Sequence, residues 1–375
     1  MNRIIYIGMD VHTTNFTFCS LETVFGGEDK VFGVTQSAPG YKNVLKYIDR
    51  LKKRFDDDTE FICGYEAGCL GYTLYRQLTA HGVKCCILAP STMFASRGKR
   101  VKTDRRDARL IAQCLAYGTY SPVYVPTEED VAVKEYIRMR DDHKAALKKT
   151  KQQILAFCLR NGLAYEGKTN WTEAHLRWLR TRKLGGILQE TLDGYLRAYA
   201  QTSDAIESHN QRIEELAAGE KYAAQVKKLT CFLGIKTPTA LAAIVETGDF
   251  SRFPKGNVYA SYLGLAPGED SSSDDINRGG ISKAGNSHVR RLLIEAAQGI
   301  CKGKIGHKSK ELKARQNGNP PSVIAYADKA NIRLRKKYYR MISHNKKKNV
   351  AVTAVARELA CFIWGMMTDH IMEGA

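Results

Sequence analysis

The sequence predicts an α/β domain with a mixed five-stranded sheet, then a long helical segment, then a basic and mostly helical C-terminal domain. Three observations carry that expectation. Over the first 120 residues, short β-rich runs alternate with amphipathic helical runs. From 127 to 219 apolar residues recur at helical spacing. From Lys283 to Asn349 there are eighteen Lys or Arg against three acids, Glu295, Glu311 and Asp328. The boundaries expected are 1–122, 123–225 and 226–375.

Residues 3 to 10 alternate apolar and polar and form the first strand. TNFTFCSL (14–21) and KVFGVT (30–35) supply two more, joined by the turn signal GGED into an antiparallel meander. Residues 41 to 54 form a helix with Val44, Leu45, Ile48 and Leu51 on one face. A strand at 59–66, a helix at 70–80 and a strand at 83–88 follow, the last stopped by Pro90. A helix beginning near Thr103 turns Leu110, Ile111 and Leu115 inward, and SPVYVPTEED closes the domain. Beyond it, Leu192, Leu196, Tyr199, Ile206, Ile213 and Leu216 mark a long helix that fits an oligomerising coil and a plain bundle equally. Trp171 and Trp178 read as core. VKKLTCFLGIKTPTALAAIVETG reads helix, tight turn, helix, either a phosphate-holding hairpin or a local packing unit. AVTAVARELACFIWGMM, after residue 350, resumes an apolar helical pattern.

A chain of 375 residues holds two or three domains, and 43% hydrophobic residues suit an ordinary globular protein. The formal net charge of +19 points to a polyanionic partner, bound through release of counterions. Ten cysteines without CxxC spacing, and nine histidines without HxH or HExxH, argue against structural zinc and for reduced thiols in cytoplasm. No signal-peptide pattern is read, and no membrane span is expected.

The chemistry concentrates on four carboxylates. Asp10 ends the run IIYIGMD, Glu66 ends ICGYE, and Asp104 and Asp107 lie three apart in KTDRRDARLIA. Strand ends deliver side chains to a shared sheet edge, and an i, i+3 pair shares one helix face. This spacing resembles that of the metal-binding core of a ribonuclease-H-like nuclease. Crowded carboxylates repel, and divalent cations relieve that cost; Mg2+, with Mn2+ as the alternative, takes oxygen ligands and binds phosphate. Surface acids beside Arg100, Lys102, Arg105, Arg106 and Arg109 are the plainer reading, and an actin-like phosphotransferase is a rival without its glycine-rich loop in GMDVHTTN. His12 reads as a surface or supporting histidine rather than a ligand.

The second informative stretch is YLGLAPGEDSSSDDINRGGISKAGNSHVRRLLIEAA, a polar loop leading into a helix near Asn286. A serine hydroxyl there can attack phosphorus and hold a covalent ester, with Lys283, Arg290 and Arg291 clamping phosphate oxygens. By composition alone SSSDD favours a flexible polar linker over a catalytic serine. Downstream, RLRKKYYR interleaves Tyr338 and Tyr339 with Arg333, Arg335, Lys336 and Lys337, as a nucleic-acid surface does.

Taken together, YIGMDVH, GYEAGCLGYTLY, KTDRRDARLIA, FLGIKTPTALAAIVETGDFSRF, YLGLAP and GGISKAGNSHVRRLLIEAA resemble the DEDD transposases of the insertion-sequence 110 family, the bridge-RNA-guided recombinases. The resemblance runs in the family's order over roughly 4–120 and 226–300. It implies a RuvC-like first domain, a coiled-coil linker and a C-terminal transposase domain. The metal ligands would be Asp10, Glu66, Asp104 and Asp107, and the nucleophile Ser272. Ser273 stands where the family often has glycine, so Ser271 and Ser273 stay open. Nucleic-acid contacts are expected at Lys102, Arg105, Lys283, Arg290, Arg291, Arg333, Arg335, Lys336 and Lys337. The implied partners are donor and target DNA, an element-encoded bridge RNA and further copies of the chain, as dimers pairing into a tetramer, at the nucleoid and with no membrane. A metal-dependent nuclease using water, and a non-catalytic nucleic-acid scaffold, are the alternatives.

Overall fold

The structure is a computed structural model that describes residues 3–24, 26–68, 70–93, 103–269 and 278–371. Lys102 and Ser271, Ser272 and Ser273 lie outside the described residues. The chain divides into two compact units, Met1–Val125 and Pro126–Ala375.

The first unit is a mixed sheet covered on both faces. Its elements are β1 (Ile4–Val11), β2 (Phe16–Glu22), β3 (Lys30–Ser37), α1 (Tyr41–Lys52), β4 (Glu60–Glu66), α2 (Thr73–Ala80), β5 (Lys84–Leu88) and α3 (Asp104–Tyr117). The strand order is β3-β2-β1-β4-β5. The first three strands form the antiparallel meander, while β4 lies parallel to β1 and β5 parallel to β4. The expected strands and helices are all present, with ends shifted by at most three residues.

Alternation along β1 sorts its side chains between the two faces. Ile5, Ile7 and Met9 are fully buried with Val44 and Ile48 of α1 and Leu74 and Leu78 of α2. Tyr6 faces the other way, toward Ile111, Cys114 and Leu115 of α3. Gly8 lies on that second face and lets α3 approach the strand backbone. A Cβ on Gly8 would stand 2.1 Å from the Ala108 carbonyl oxygen and 2.3 Å from the Ala112 nitrogen. Gly64 of β4 continues the bare strip, where a Cβ would lie within 3.0 Å of Leu88, Leu115 and the Cys86 carbonyl. The helix therefore lies close along the sheet and sets its first turn beside the end of β1. Thr103 caps that turn by accepting from the Arg106 N–H, and Gly118, at φ 63°, ends the helix.

The second unit is almost wholly helical. It comprises α4 (Glu128–Arg160), α5 (Glu173–Arg180), α6 (Gly186–Ala217), α7 (Glu220–Leu229), α8 (Thr237–Thr247), α9 (Gly256–Tyr262), the short hairpin β6 (Pro267–Glu269) and β7 (Arg278–Ile281), α10 (Ser287–Ile300), α11 (Lys310–Gln316), α12 (Pro321–Ser343) and α13 (Lys348–Met367). Helices α4 and α6, of 33 and 32 residues, pack antiparallel. Tyr136 bonds His209 toward one end, and Phe157 meets Tyr195 toward the other. At the first end Val133, Ile137, Ile213 and Ala217 join the main core of the C-terminal helices. At the far end Ile154, Phe157 and Leu192 make a separate core against Trp171 and Trp178, so both tryptophans pack inside the fold.

The tight turn before α8 also serves packing. Gly234 has φ 84°, and a Cβ there would come 2.5 Å from the Ala296 carbonyl of α10. Helix α13 has the length and mean hydropathy of a membrane span, against the expectation of none. Yet Val355, Leu359 and Ile363 are fully buried, and α9, α10 and α12 pack against it, so it is a core helix of this unit.

Gly8→Ala is expected to lower the stability of the first unit by about 3 kcal/mol, since the added methyl meets helix backbone that cannot rotate away. Gly194→Ala, mid-helix in α6 with nothing within 4 Å of the new methyl, is expected to add about 1 kcal/mol. Denaturant unfolding of the full chain checks both; a neutral Gly8→Ala would contradict the close approach.

Candidate metal centre

Asp10 and Glu66 occupy equivalent positions on neighbouring parallel strands. Met9 pairs with Tyr65, and each acid is the next residue along. Asp104 and Asp107 lie in the first turn of α3, where negative charge is favoured by the helix dipole. The close approach at Gly8 brings that turn beside the end of β1.

The tightest grouping is Asp10, His12 and Asp104, whose ligand atoms all lie within 4.8 Å of one another. His12 Nε2 is 3.2 Å from Asp10 Oδ1. Asp10 Oδ2 is buried with no hydrogen-bond partner. Asn15 Nδ2 donates to Asp104 Oδ2 at 3.0 Å. Burial raises the Asp10 pKa; His12 works against the rise, and the charges of Asp104 and Asp107 add to it. Asp107 is thus near enough for its field to act on Asp10. Glu66 is exposed at the adjacent strand end and outside the three-residue group. An orphaned buried carboxylate oxygen among like charges is a donor set that a divalent cation would complete. Residue reasoning missed Asn15 and set His12 aside. The signal for His12 was its spacing: residues 10 and 12 of an extended chain point to the same side.

The serine segment is flanked by tightly fixed chain. Gly264 and Gly285 both have φ 68°; a Cβ on either would stand about 2 Å from the carbonyl oxygen of Ala284 or Tyr262 respectively. Arg290 Nη1 donates to the carbonyls of Leu263 and Ala284 at 2.8 and 2.9 Å, tying both arms of the hairpin together. Asn286 caps α10 and donates to Glu246 at 2.8 Å. Glu246, its side chain 2% exposed, also takes a bidentate pair from Arg138 and a bond from His288. Burial pushes its carboxyl up, but those three donors outweigh it and hold the pKa at about 2. His288 bridges on to Asp141, which also pairs with Arg140 and Arg291.

The expected cationic contacts therefore divide. Arg105, Lys283 and Lys336 are exposed. Arg290 and Arg291 are engaged within the fold, Arg291 with Asp141 and Glu295. Arg333 and Lys337 share Glu358. Arg335 corrects the sequence expectation. It is 4% exposed and donates to the carbonyls of Ile300, Lys302, Lys304 and His307. On α12 it lies on the inward face with Leu334 and Tyr338, so it braces a loop rather than meeting nucleic acid. Lys329, Arg333, Lys336, Lys337 and Arg340 line an open groove of about 870 Å³.

A meander-plus-parallel sheet with acids at the ends of β1 and β4 and at the start of α3 defines a ribonuclease-H-like nucleic-acid-processing domain of the DEDD type. Comparison with known proteins agrees. A family model for DEDD transposases of the IS110 type matches residues 7–160, and one described as "Transposase IS116/IS110/IS902 family" matches 226–311. The chain is 33% identical over 368 residues to the putative transposase y4qE of Sinorhizobium fredii, covering 98% of this chain and 89% of that one. It is 31% identical to the transposase of insertion sequence element IS1533 from Leptospira borgpetersenii, over 92% and 99% of the two chains. A pilin gene-inverting protein of Moraxella lacunata is 24% identical, over 80% and 84%. The chain belongs to the IS110 family of transposases, and is an enzyme of DNA transposition and recombination.

Asp10 carries a stability consequence. Its folded pKa lies above its unfolded one, so the folded state binds more protons between the two values. Stability therefore falls as pH rises through that interval, and the penalty persists above it. Asp10→Asn is expected to raise the melting temperature of the metal-free protein at pH 7 and to leave it unchanged below the unfolded pKa. A lower melting temperature at pH 7 would contradict the crowded-carboxylate geometry.

Proposed function

We propose that this transposase cleaves and rejoins donor and target DNA through a covalent phosphoserine at Ser272, with a divalent cation held by Asp10, Glu66, Asp104 and Asp107. An element-encoded bridge RNA pairs with both DNAs and supplies sequence choice. The protein works as dimers that pair into a tetramer. The observation that carries the metal part is the unpartnered, buried Asp10 Oδ2 beside Asp104. RNA guidance, the serine and the assembly rest on the family resemblance of the motifs quoted above.

In this mechanism Ser272 Oγ attacks the scissile phosphorus and the bond to the 3′ oxygen breaks. The serine proton leaves to a base, and the departing 3′ oxygen takes one up as hydroxyl. The 5′ phosphate stays esterified to serine, which stores the bond energy. After strand exchange the 3′-hydroxyl of the partner strand attacks that phosphorus, and Ser272 leaves and is reprotonated. Bound Mg2+ or Mn2+ supplies charge neutralisation at the phosphate oxygens. The carboxylates place it; the braced hairpin arms at Gly264, Gly285 and Arg290 fix where the serine segment leaves and re-enters the fold. Arg105, Lys283 and the α12 groove hold the backbone, while base pairing reads sequence.

Incubation with magnesium, the element RNA and labelled donor and target DNA, followed by denaturation, tests the chemistry. DNA shifted onto protein is expected, and the shift is expected to vanish in Ser272→Ala but not in Ser271→Ala or Ser273→Ala. Cleaved DNA without an adduct, indifferent to all three alanines, would support hydrolysis by water instead. For the groove, the double variant Lys336→Ala, Lys337→Ala is expected to weaken nucleic-acid binding and reduce the slope of log affinity against log salt by about 1 to 2. An unchanged slope removes the groove from the interface.

A further inference from the structure

We infer that His12 is a ligand of the same cation, which makes the centre a mixed nitrogen and oxygen site that prefers Mn2+ to Mg2+. The inference deepens the metal reading and rests on it.

Three observations support it. The ligand atoms of His12 group with those of Asp10 and Asp104 inside 4.8 Å. Donors about 2.1 Å from an octahedral ion stand about 3.0 Å apart when adjacent and about 4.2 Å apart when opposite; the 3.2 Å between His12 Nε2 and Asp10 Oδ1 fits an adjacent pair. The His12 N–H donates to the Asn15 carbonyl at 3.0 Å, closing the turn between β1 and β2. That one turn aims the imidazole at Asp10 and the Asn15 amide at Asp104.

A simple ion pair between His12 and Asp10 accounts for the 3.2 Å contact but not for the rest. It leaves Asp10 Oδ2 buried and unpaired, and leaves Asp104 beside it. A cation among the three groups would relieve the repulsion between Asp10 and Asp104 and, held through both Asp10 oxygens, would also satisfy Oδ2. The chemical consequence follows from donor type. All-oxygen sites suit Mg2+ and Mn2+ alike, whereas an imidazole nitrogen favours first-row transition ions over Mg2+, and Mn2+ is the one of these that an oxygen-rich site also accepts. The side chain of His12 is 53% exposed on the turn, so its removal takes nothing from the core.

The test uses the full chain titrated with MnCl2, followed by pulsed electron paramagnetic resonance on the bound ion. Wild type is expected to show nitrogen-14 modulation from a directly bound imidazole. In His12→Ala that modulation is expected to disappear, Mn2+ affinity to fall at least roughly tenfold, and the preference for Mn2+ over Mg2+ to shrink. Bound manganese without nitrogen coupling, or coupling that survives in His12→Ala, overturns the role of His12 and leaves the carboxylate site standing. Absence of Mn2+ binding that Asp10→Asn can abolish overturns the metal reading itself, and this inference with it.

Discussion

The contact between Gly8 and the backbone of α3 is the constraint on which the first unit depends. With only hydrogen on that strand position, the helix lies against the sheet closely enough to carry Asp104 and Asp107 to the end of β1. Any side chain at residue 8 would hold the helix away and separate the acids. The same approach creates the electrostatic cost: Asp10 is buried near two further carboxylates and ionises less readily for it. The helix N-terminus and the donors His12 and Asn15 offset part of that cost. The residue is a site of stored repulsion that a cation would relieve, so under the proposed metal role stability and function oppose one another at Asp10.

The second unit solves a different problem, the handling of charge inside a helical core. A net charge of +19 suggests a surface given over to binding, yet several of the cations work inside the fold. Arg138 and His288 hold Glu246, Arg291 holds Asp141, and Arg335 satisfies four carbonyls. Glu246, held at about 2, contributes fully above the ordinary carboxylate range and loses that contribution only as pH falls toward 2. Because Asn286 bonds to this buried acid and also caps α10, the network anchors the helix that follows the serine hairpin. Of the cations expected to meet nucleic acid, Arg105, Lys283 and Lys336 are exposed, and Arg333, Lys336 and Lys337 line the groove along α12.

Much of this was legible in residues alone. Alternation and helical periodicity carried the five strands, the three helices of the first unit and the long helix α6 of the second, while α4 was covered only by the reading of 127–219 as mostly helical. Thr103 and Asn286 could be read as helix starts because each is a capping residue ahead of an apolar periodic run. The acids stood out because charge at the end of an apolar strand needs a reason. Arg335 was misread because RLRKKYYR is uniformly basic, and only the direction of each side chain on α12 separates the residue turned inward from Lys336 beside it. Asn15 was missed because its role depends on a turn that meets a helix 89 residues later. The partners of Arg290 and Arg291 within the fold, carbonyls and distant acids, carry no local signal in the sequence.

The most direct measurement is anomalous X-ray scattering from crystals of the full chain soaked in MnCl2. The expected result is a manganese peak bounded by Asp10, Glu66, Asp104 and Asp107 at the ends of β1 and β4 and the start of α3. A well-diffracting crystal with no peak there, or with manganese bound only elsewhere, would contradict the proposal that these carboxylates form the metal centre of the enzyme.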